Sequence, residues 1–352
     1  MKPINVLITG AGAPGIQGTI HSVRENYDRR QVHITGTDIN EEVVGKYLCD
    51  AFFKIPKAKE QERYLETMLR LAVSQKIDVI MPQNTAELLL LAQNKSLFTE
   101  KGIGITVADA EPIRVSNNKF ELMEICSRCG VPVGTYFLAS NQKQLRQAAE
   151  TLGWPAKQFV VKPPVSNGQR GIRIIDEKFS PRDMFYDEKP NSLFTNMHEL
   201  ERILGESFPE LIVTEYLSGD EYTIDILRTP VKTVIIPRKR ELIRSGITFN
   251  ASLEKNEVLI KASEILATET GLTSCFGFQF KLDDNGVPKI LESNPRIQGT
   301  MVMSTLAGAN IIYSAVKYAL GESIPDFDID WNTKLLRYWG GIAYSHEKVT
   351  HI

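Results

Sequence analysis

The sequence predicts an α/β half joined to an α+β half, and two observations carry this. Up to about residue 112, short apolar runs alternate with stretches of helical spacing, the order that builds a parallel, doubly wound sheet. After Phe159-Val160-Val161-Lys162 the strands are expected as hairpins, the grammar of an antiparallel sheet with helices on one side. A chain of 352 residues has room for both halves, at ~150 residues per domain.

In the first half, Val6-Leu7-Ile8 reads as a strand, followed by a glycine-rich turn and a helix to about Glu25. Val32-His33-Ile34-Thr35-Gly36 is a second strand ending at Asp38. Residues 64–75 have helical spacing, and Asp78-Val79-Ile80-Met81 is a short strand closed by Pro82. Residues 85–92 are helical, and Gly104-Ile105-Thr106-Val107 is again a strand. In the second half, Asn117 or Asn118 is expected to cap the helix that carries Lys119. Residues 213–227 read as strand, turn, strand, with the turn at Ser218-Gly219-Asp220. Residues 276–294 read as a long hairpin with Asn285-Gly286 at its tip. Residues 176–190 are the most polar and loop-like stretch.

Composition narrows the function. With 41 basic and 43 acidic residues the net charge is −2, so no global field attracts nucleic acid or an anionic membrane. The leucine run at 87–92 is far shorter than the ~20 residues of a membrane span. The start runs straight into Val6-Leu7-Ile8, leaving no room for a signal peptide. Four cysteines suit a reducing compartment, so a cytoplasmic protein is expected. Cys126 and Cys129 form one CxxC, one turn apart on an expected helix. There is no second pair, and the five histidines are scattered, so a half-buried helix face is the plainer reading than zinc or redox chemistry.

Gly10-Ala11-Gly12-Ala13-Pro14-Gly15 fits G-x-G-x-x-G between a strand and a helix. Asp38 ends the next strand, somewhat beyond the usual ~20 residues. NAD or NADP binding is one reading; the other is that any tight βα turn favours these glycines.

The second half supplies a better nucleotide site. If Asn285 and Gly286 are a two-residue loop, Asp284 pairs with Val287 and Gln279 falls opposite Glu292, with Asn294 on the same face. Three oxygen donors on one face suit Mg²⁺. A three-residue loop would break that register, and a solvated polar face is the alternative. Arg296 follows as a fork for phosphate or carboxylate. Lys162 ends an apolar strand and precedes Pro163-Pro164-Val165-Ser166-Asn167-Gly168-Gln169-Arg170-Gly171, a loop able to cover phosphates, though not a Walker loop. Lys119 is a second candidate cation. Thr214-Glu215-Tyr216-Leu217 can present backbone groups to an adenine edge, with Glu221 for ribose hydroxyls.

In this order, Lys119, Val161-Lys162-Pro163 with its glycine loop, Glu215-Tyr216-Leu217 with Glu221, Gln279, and Glu292-Ser293-Asn294-Pro295-Arg296 resemble the landmarks of the ATP-grasp superfamily. The likeness is strongest to the carbamoyl-phosphate-synthetase and biotin-carboxylase branch, and its most specific part is ESNPRIQ at 292–298. The resemblance covers nearly the whole chain. It implies a Rossmann-like pre-ATP-grasp domain at 1–112 and a two-lobed ATP-grasp domain. The small lobe with the phosphate loop would span 113–212, the large lobe with the metal hairpin 213–330, and a C-terminal tail 331–352.

It also implies roles. Lys119, Lys162 and Gly168 would bind ATP phosphates. Glu215, Tyr216 and Leu217 would hold adenine, and Glu221 ribose. Gln279, Glu292 and Asn294 would hold one or two Mg²⁺ or Mn²⁺ ions. Arg296, with Lys162, would be catalytic beside the acyl phosphate. Arg238, Arg240 and Arg244 are anion contacts on this reading and an exposed basic strand on the other.

Two departures redirect the resemblance. Gln298 is followed by Gly299-Thr300-Met301, not by the Val-Glu-His of biotin carboxylases, so their bicarbonate-activating acid is missing. Only one ATP-grasp half is present, against the two of carbamoyl-phosphate synthetase. A stand-alone, ADP-forming carboxylate–amine ligase is what remains, with small-molecule acid and amine as partners and a homodimer as the superfamily analogy. Three alternatives stay open: a kinase stopping at a phosphorylated product, an NAD(P)-linked oxidoreductase using the glycine turn, and a nucleotide-binding module without turnover.

Overall fold

Five short strands near the N-terminus pair side by side: β1 (Ile4–Ile8), β2 (Val32–Asp38), β3 (Ala51–Lys54), β4 (Val79–Met81) and β5 (Gly104–Ile105). Their order is β3-β2-β1-β4-β5 and every pairing is parallel. β4 is buried throughout and β1 nearly so, as expected of strands covered on both faces. Helix Ile16–Arg24 buries Ile16, Ile20 and Val23, one apolar stripe at helical spacing. The structure is a computed structural model that describes all residues except 167, 179, 181, 183–184, 187–191, 339, 346–347 and 352. Asn167 of the expected phosphate loop, His346 and much of the polar stretch at 176–190 therefore lie outside the described residues.

Contacts divide the chain into two units: residues 1–116, 221–279 and 293–352, and residues 117–220 with 280–292. The second unit holds β6 (Tyr136–Asn141), β7 (Phe159–Lys162), β8 (Arg173–Ile175), β9 (Phe194–Thr195) and β10 (Ser207–Glu215), in the order β6-β10-β7-β8-β9. Its core gathers Leu145, Phe159, Val161, Ile175, Leu211 and Val213. β10 runs antiparallel to both β6 and β7. The expected strand–turn–strand at 213–227 is therefore not a hairpin, because the strand that follows joins a different sheet. Ser218-Gly219-Asp220 instead pairs with the chain at Leu282: Gly219 N–H donates to Leu282 O at 3.0 Å and Leu282 N–H to Asp220 O at 2.9 Å. A Cβ on Gly219 would meet that backbone at 2.8 Å, which explains the glycine without a turn.

The remaining strands are β11 (Glu221–Arg228), β12 (Thr233–Arg244), β13 (Ile247–Leu253), β14 (Ser274–Leu282), β15 (Pro288–Asn294) and β16 (Lys334–Leu336), in the order β15-β14-β11-β12-β13-β16. The C-terminal stretch thus supplies an edge strand, antiparallel to β13. A last hairpin, β17 (Ile342–Ser345) and β18 (Lys348–His351), has Tyr344 stacked on Tyr47. The core of the first unit is continuous from Ile4, Val6 and Ile34 to Ile297, Met301, Ile312 and Val316.

The tip of the β14–β15 segment corrects the two-residue loop. Asp283, not Asp284, faces Val287, with its N–H donating to Val287 O at 3.0 Å, so three residues turn the chain. The Asp283 carboxylate accepts from the amides of Val287 and Asn285, both at 2.9 Å. These amides, Val287 first, hold its carboxyl below the usual range. That side-chain turn, with Gly286 at φ +78°, competes successfully with a plain Asn-Gly turn. Burial along β15 then changes phase. Pro288 and Ile290 are buried, Leu291 and Glu292 are both half-buried, and Ser293 is buried again.

Candidate active site

In the second unit, two lysines and one carboxylate are drawn together. Asn118 caps helix Lys119–Cys129, its side chain accepting from Phe120 N–H at 3.0 Å and Glu121 N–H at 3.3 Å. That cap fixes Lys119 in the first turn, and its side chain is only 4% exposed. Its ammonium donates to Ser166 O at 2.8 Å and lies 3.5 Å from Glu292 Oε2. Lys162, at the end of β7, is 5% exposed and donates to Leu291 O at 3.1 Å. Burial first, then the charge of Lys119, pulls the Lys162 ammonium down to about 8, while Glu292 acts in the opposite direction. Two buried cations thus share one carboxylate, an imbalance suited to a polyphosphate. In the loop that follows, Gly168 (φ +60°) and Gly171 (φ +75°) take backbone conformations that glycine favours.

The adenine candidates are anchored in the same unit. Glu215 N–H donates to Thr135 O at 3.1 Å, and its carboxylate accepts from Thr135 N–H and Lys289 Nζ, both at 3.0 Å. Lys281 lies over the Tyr216 ring at 5.1 Å, and Leu217 is buried.

The first unit carries the arginines. Arg238 is 1% exposed and forks onto Asp225, which is 0% exposed, with Nε and Nη2 both at 3.1 Å from the carboxylate. It is therefore no exposed basic strand, and most of its fork is committed. Its Nη1 has no hydrogen-bond partner among the described residues, and neither has the buried Gln298 Nε2. Buried donors of this kind call for an acceptor. Arg240 bonds Glu221, donates to Thr248 Oγ1 at 2.8 Å and to Gly246 O at 2.7 Å, so it clamps the β12–β13 hairpin. Arg244 is exposed, over the Phe249 ring at 5.0 Å. Arg296 donates from Nη2 to Asn294 Oδ1 at 3.3 Å, from Nη1 to Ile297 O at 3.1 Å and from Nε to Thr85 Oγ1 at 3.1 Å.

Of the three expected metal ligands, Gln279 and Asn294 belong to the first unit and Glu292 to the second. No group of three or more His, Cys, Asp or Glu suited to a metal occurs among the described residues. By donor chemistry, carboxylate and amide oxygens suit an ion that takes one or two carboxylates and fills its shell with phosphate oxygens. Cys126 is buried on its helix, where burial pushes its thiol well up, consistent with packing.

Sequence reasoning missed Arg337, a single arginine with no motif around it. It donates to Gly299 O at 2.6 Å. Burial, then the like charge of Arg238, holds its guanidinium below the ordinary value.

The glycine turn is filled by the protein itself. Gly12 N–H donates to Asp38 Oδ2 at 2.8 Å, and a Cβ on Gly15 would run into the Gly299 backbone. Gly15 sits at φ −95°, open to any residue, so contact alone demands glycine there. Gly15→Ala is expected to destabilise the fold by about 1–3 kcal/mol through overpacking, seen as a lower thermal unfolding midpoint.

Comparison with known proteins finds two family matches. Residues 6–107 match the family described as PylC-like, N-terminal domain. Residues 207–335 match that described as ATP-grasp in the biosynthetic pathway with Ter operon. A formate-dependent phosphoribosylglycinamide formyltransferase of Ignicoccus hospitalis is 25% identical over 260 residues, 71% of this chain and 61% of that enzyme. The chain spans less than two thirds of the length of the curated relatives it matches. Among solved structures, the biotin carboxylase–ATP-analogue complex of Campylobacter jejuni has a TM-score of 0.68 at 17% identity, over 94% of this chain and 74% of that one. The L-amino acid ligase of Bacillus licheniformis has a TM-score of 0.62 at 14% identity, over 91% and 74%. At these identities the structures establish the fold.

Proposed function

Because the chain belongs to the ATP-grasp superfamily, in the branch of biotin carboxylase and carbamoyl phosphate synthase, we propose that it is an ADP-forming ligase joining a carboxylate to an amine through an acyl phosphate. The observation that carries this reading is the pair of buried lysines, Lys119 and Lys162, beside the half-buried Glu292, a cationic excess that suits a phosphate tail. In this reading Lys119, Lys162 and the amide of Gly168 hold phosphate oxygens. Glu215, Tyr216 and Leu217 face adenine, and Glu221, steadied by Arg240, faces ribose. Mg²⁺ or Mn²⁺, as one or two ions held by Glu292, Gln279 and Asn294, would neutralise polyphosphate charge.

A carboxylate oxygen of the acid attacks the γ-phosphorus and ADP departs, leaving an acyl phosphate. The amine nitrogen then attacks the acyl carbon, loses its proton and expels phosphate. Arg296, with Arg238 and Arg337 as further anion contacts, orients the carboxylate; the lysines meet charge that spreads over the transferring oxygens. The loop after Lys162 excludes water, which would otherwise hydrolyse the acyl phosphate. The partners are two small molecules. No helix among the described residues is long and apolar enough to cross a membrane, and free cysteines suit the cytoplasm we propose. A screen of ADP release over amino acids and small carboxylates, with and without amines, tests the function. Amide product with ADP and phosphate supports it; a stable phosphorylated compound identifies a kinase instead.

The site also predicts a pH dependence. A phosphate tail favours the protonated form of Lys162, so nucleotide binding should take up a proton as pH approaches and exceeds about 8, and affinity should fall as pH rises further. Calorimetry in buffers of different ionisation enthalpy reads the uptake, and Lys162→Arg should remove it. Folding carries the opposite sign. The depressed ammonium costs stability below about 8, and that cost disappears as pH rises toward the ordinary lysine range.

A further inference from the structure

We infer that the first domain, through Thr85 and Gly15, positions Arg296 for the acyl step. This rests on the ligase reading, in which Arg296 meets the carboxylate. Thr85 opens helix Thr85–Gln93, where a capping role would be the ordinary assignment, but that role is already filled. Asn84 Oδ1 accepts from Ala86 N–H at 3.1 Å, and Asn84 N–H donates to Glu87 Oε1 at 3.0 Å, completing a capping box. Glu87 is buried and tied in turn to the hydroxyls of Thr9 and, at 2.7 Å, Tyr64. The backbone at Thr85 is therefore a fixed point, tied to Thr9, which follows β1, and to helix Gln61–Ser74. The Thr85 hydroxyl oxygen accepts from Arg296 Nε at 3.1 Å.

A guanidinium carries five N–H groups in one rigid plane. Fixing Nε on Thr85 while Nη1 donates to Ile297 O and Nη2 to Asn294 Oδ1 sets that plane in a single orientation. Three residues on, Gly299 lies against Gly15 and accepts from Arg337, so the segment that carries Arg296 is pinned at both ends. The glycine turn that resembles a dinucleotide fingerprint thus acts as an abutment for the substrate arginine. Thr85 is a positioning residue, not a catalytic one. Its loss is expected to misalign the acid and leave nucleotide binding alone.

The test uses the acid and amine pair found by ADP release. Thr85→Val should lower kcat by about 10- to 100-fold, the scale of a small misplacement near the reacting atoms. The apparent affinity for ATP and the thermal midpoint should stay near wild type, and Thr85→Ser should restore most of the rate. In an Arg296→Ala background, Thr85→Val should cost nothing more. Wild-type rate in Thr85→Val, or an equal loss with Arg296 already removed, overturns the inference. Wild-type rate in Arg296→Ala would instead overturn the role given to that arginine, and with it the reading on which this inference rests.

Discussion

Glu292→Ala is expected to abolish useful ATP turnover, lowering kcat by at least about 10²–10³-fold, the scale set by removing one preorganised electrostatic contact. Glu292 is the carboxylate beside Lys119, at 3.5 Å, and it also acts on Lys162. In the proposed ligand set it is the one anionic donor. Its removal therefore acts twice, weakening the metal site and leaving two buried ammonium groups unbalanced. The protein should still fold, because Lys119 keeps its bond to Ser166 O and Lys162 its bond to Leu291 O. The Lys162 ammonium should fall further, moving the proton uptake described above to lower pH. Glu292→Gln keeps an oxygen donor without the charge and should fall between the two. Steady-state kinetics at saturating Mg²⁺ read the result.

Asp225→Ala is expected to be the most destabilising of the substitutions considered. Arg238 and Asp225 are both essentially inaccessible, and two parallel bonds pair their buried charges. Removing the carboxylate strands a buried guanidinium, a loss of about 3–5 kcal/mol. The first unit should unfold at clearly lower urea concentration. Replacing both partners with apolar residues of similar size, Asp225→Leu with Arg238→Met, should recover most of the stability, since an apolar pair can match a buried ion pair. That double variant should nonetheless be a poor enzyme, because Arg238 Nη1 is one of the proposed anion contacts. Stability and activity separate in one pair of residues.

The parts of this protein that obey local rules were legible in its sequence. β1, β2 and β4 announce themselves as apolar runs, and a cap at Asn117 or Asn118 is legible, which the structure resolves to Asn118. Lys162 follows from its place at the end of an apolar strand. What the sequence hid depends on contacts distant along the chain. Segment 213–227 has the pattern of a hairpin, yet β10 is claimed by β6 and β7. Asn285-Gly286 suggests a two-residue turn, yet the Asp283 side chain recruits a third residue. Arg238 and Arg240 look like exposed strand cations until Asp225 and Glu221 are found beside them. Gly15 reads as part of a nucleotide turn and Thr85 as the first residue of a helix, because nothing local shows Gly299 or Arg296 arriving from the other end of the sequence.

The central claim is that a carboxylate oxygen attacks the γ-phosphorus of ATP and leaves with the phosphate once an amine has displaced it. An acid labelled with ¹⁸O in both carboxylate positions, turned over with ATP and amine and followed by ³¹P spectroscopy, tests this directly. The expected result is one ¹⁸O in each phosphate released and one retained in the amide. Unlabelled phosphate, or label held in a phosphorylated compound that the amine does not consume, would contradict the account.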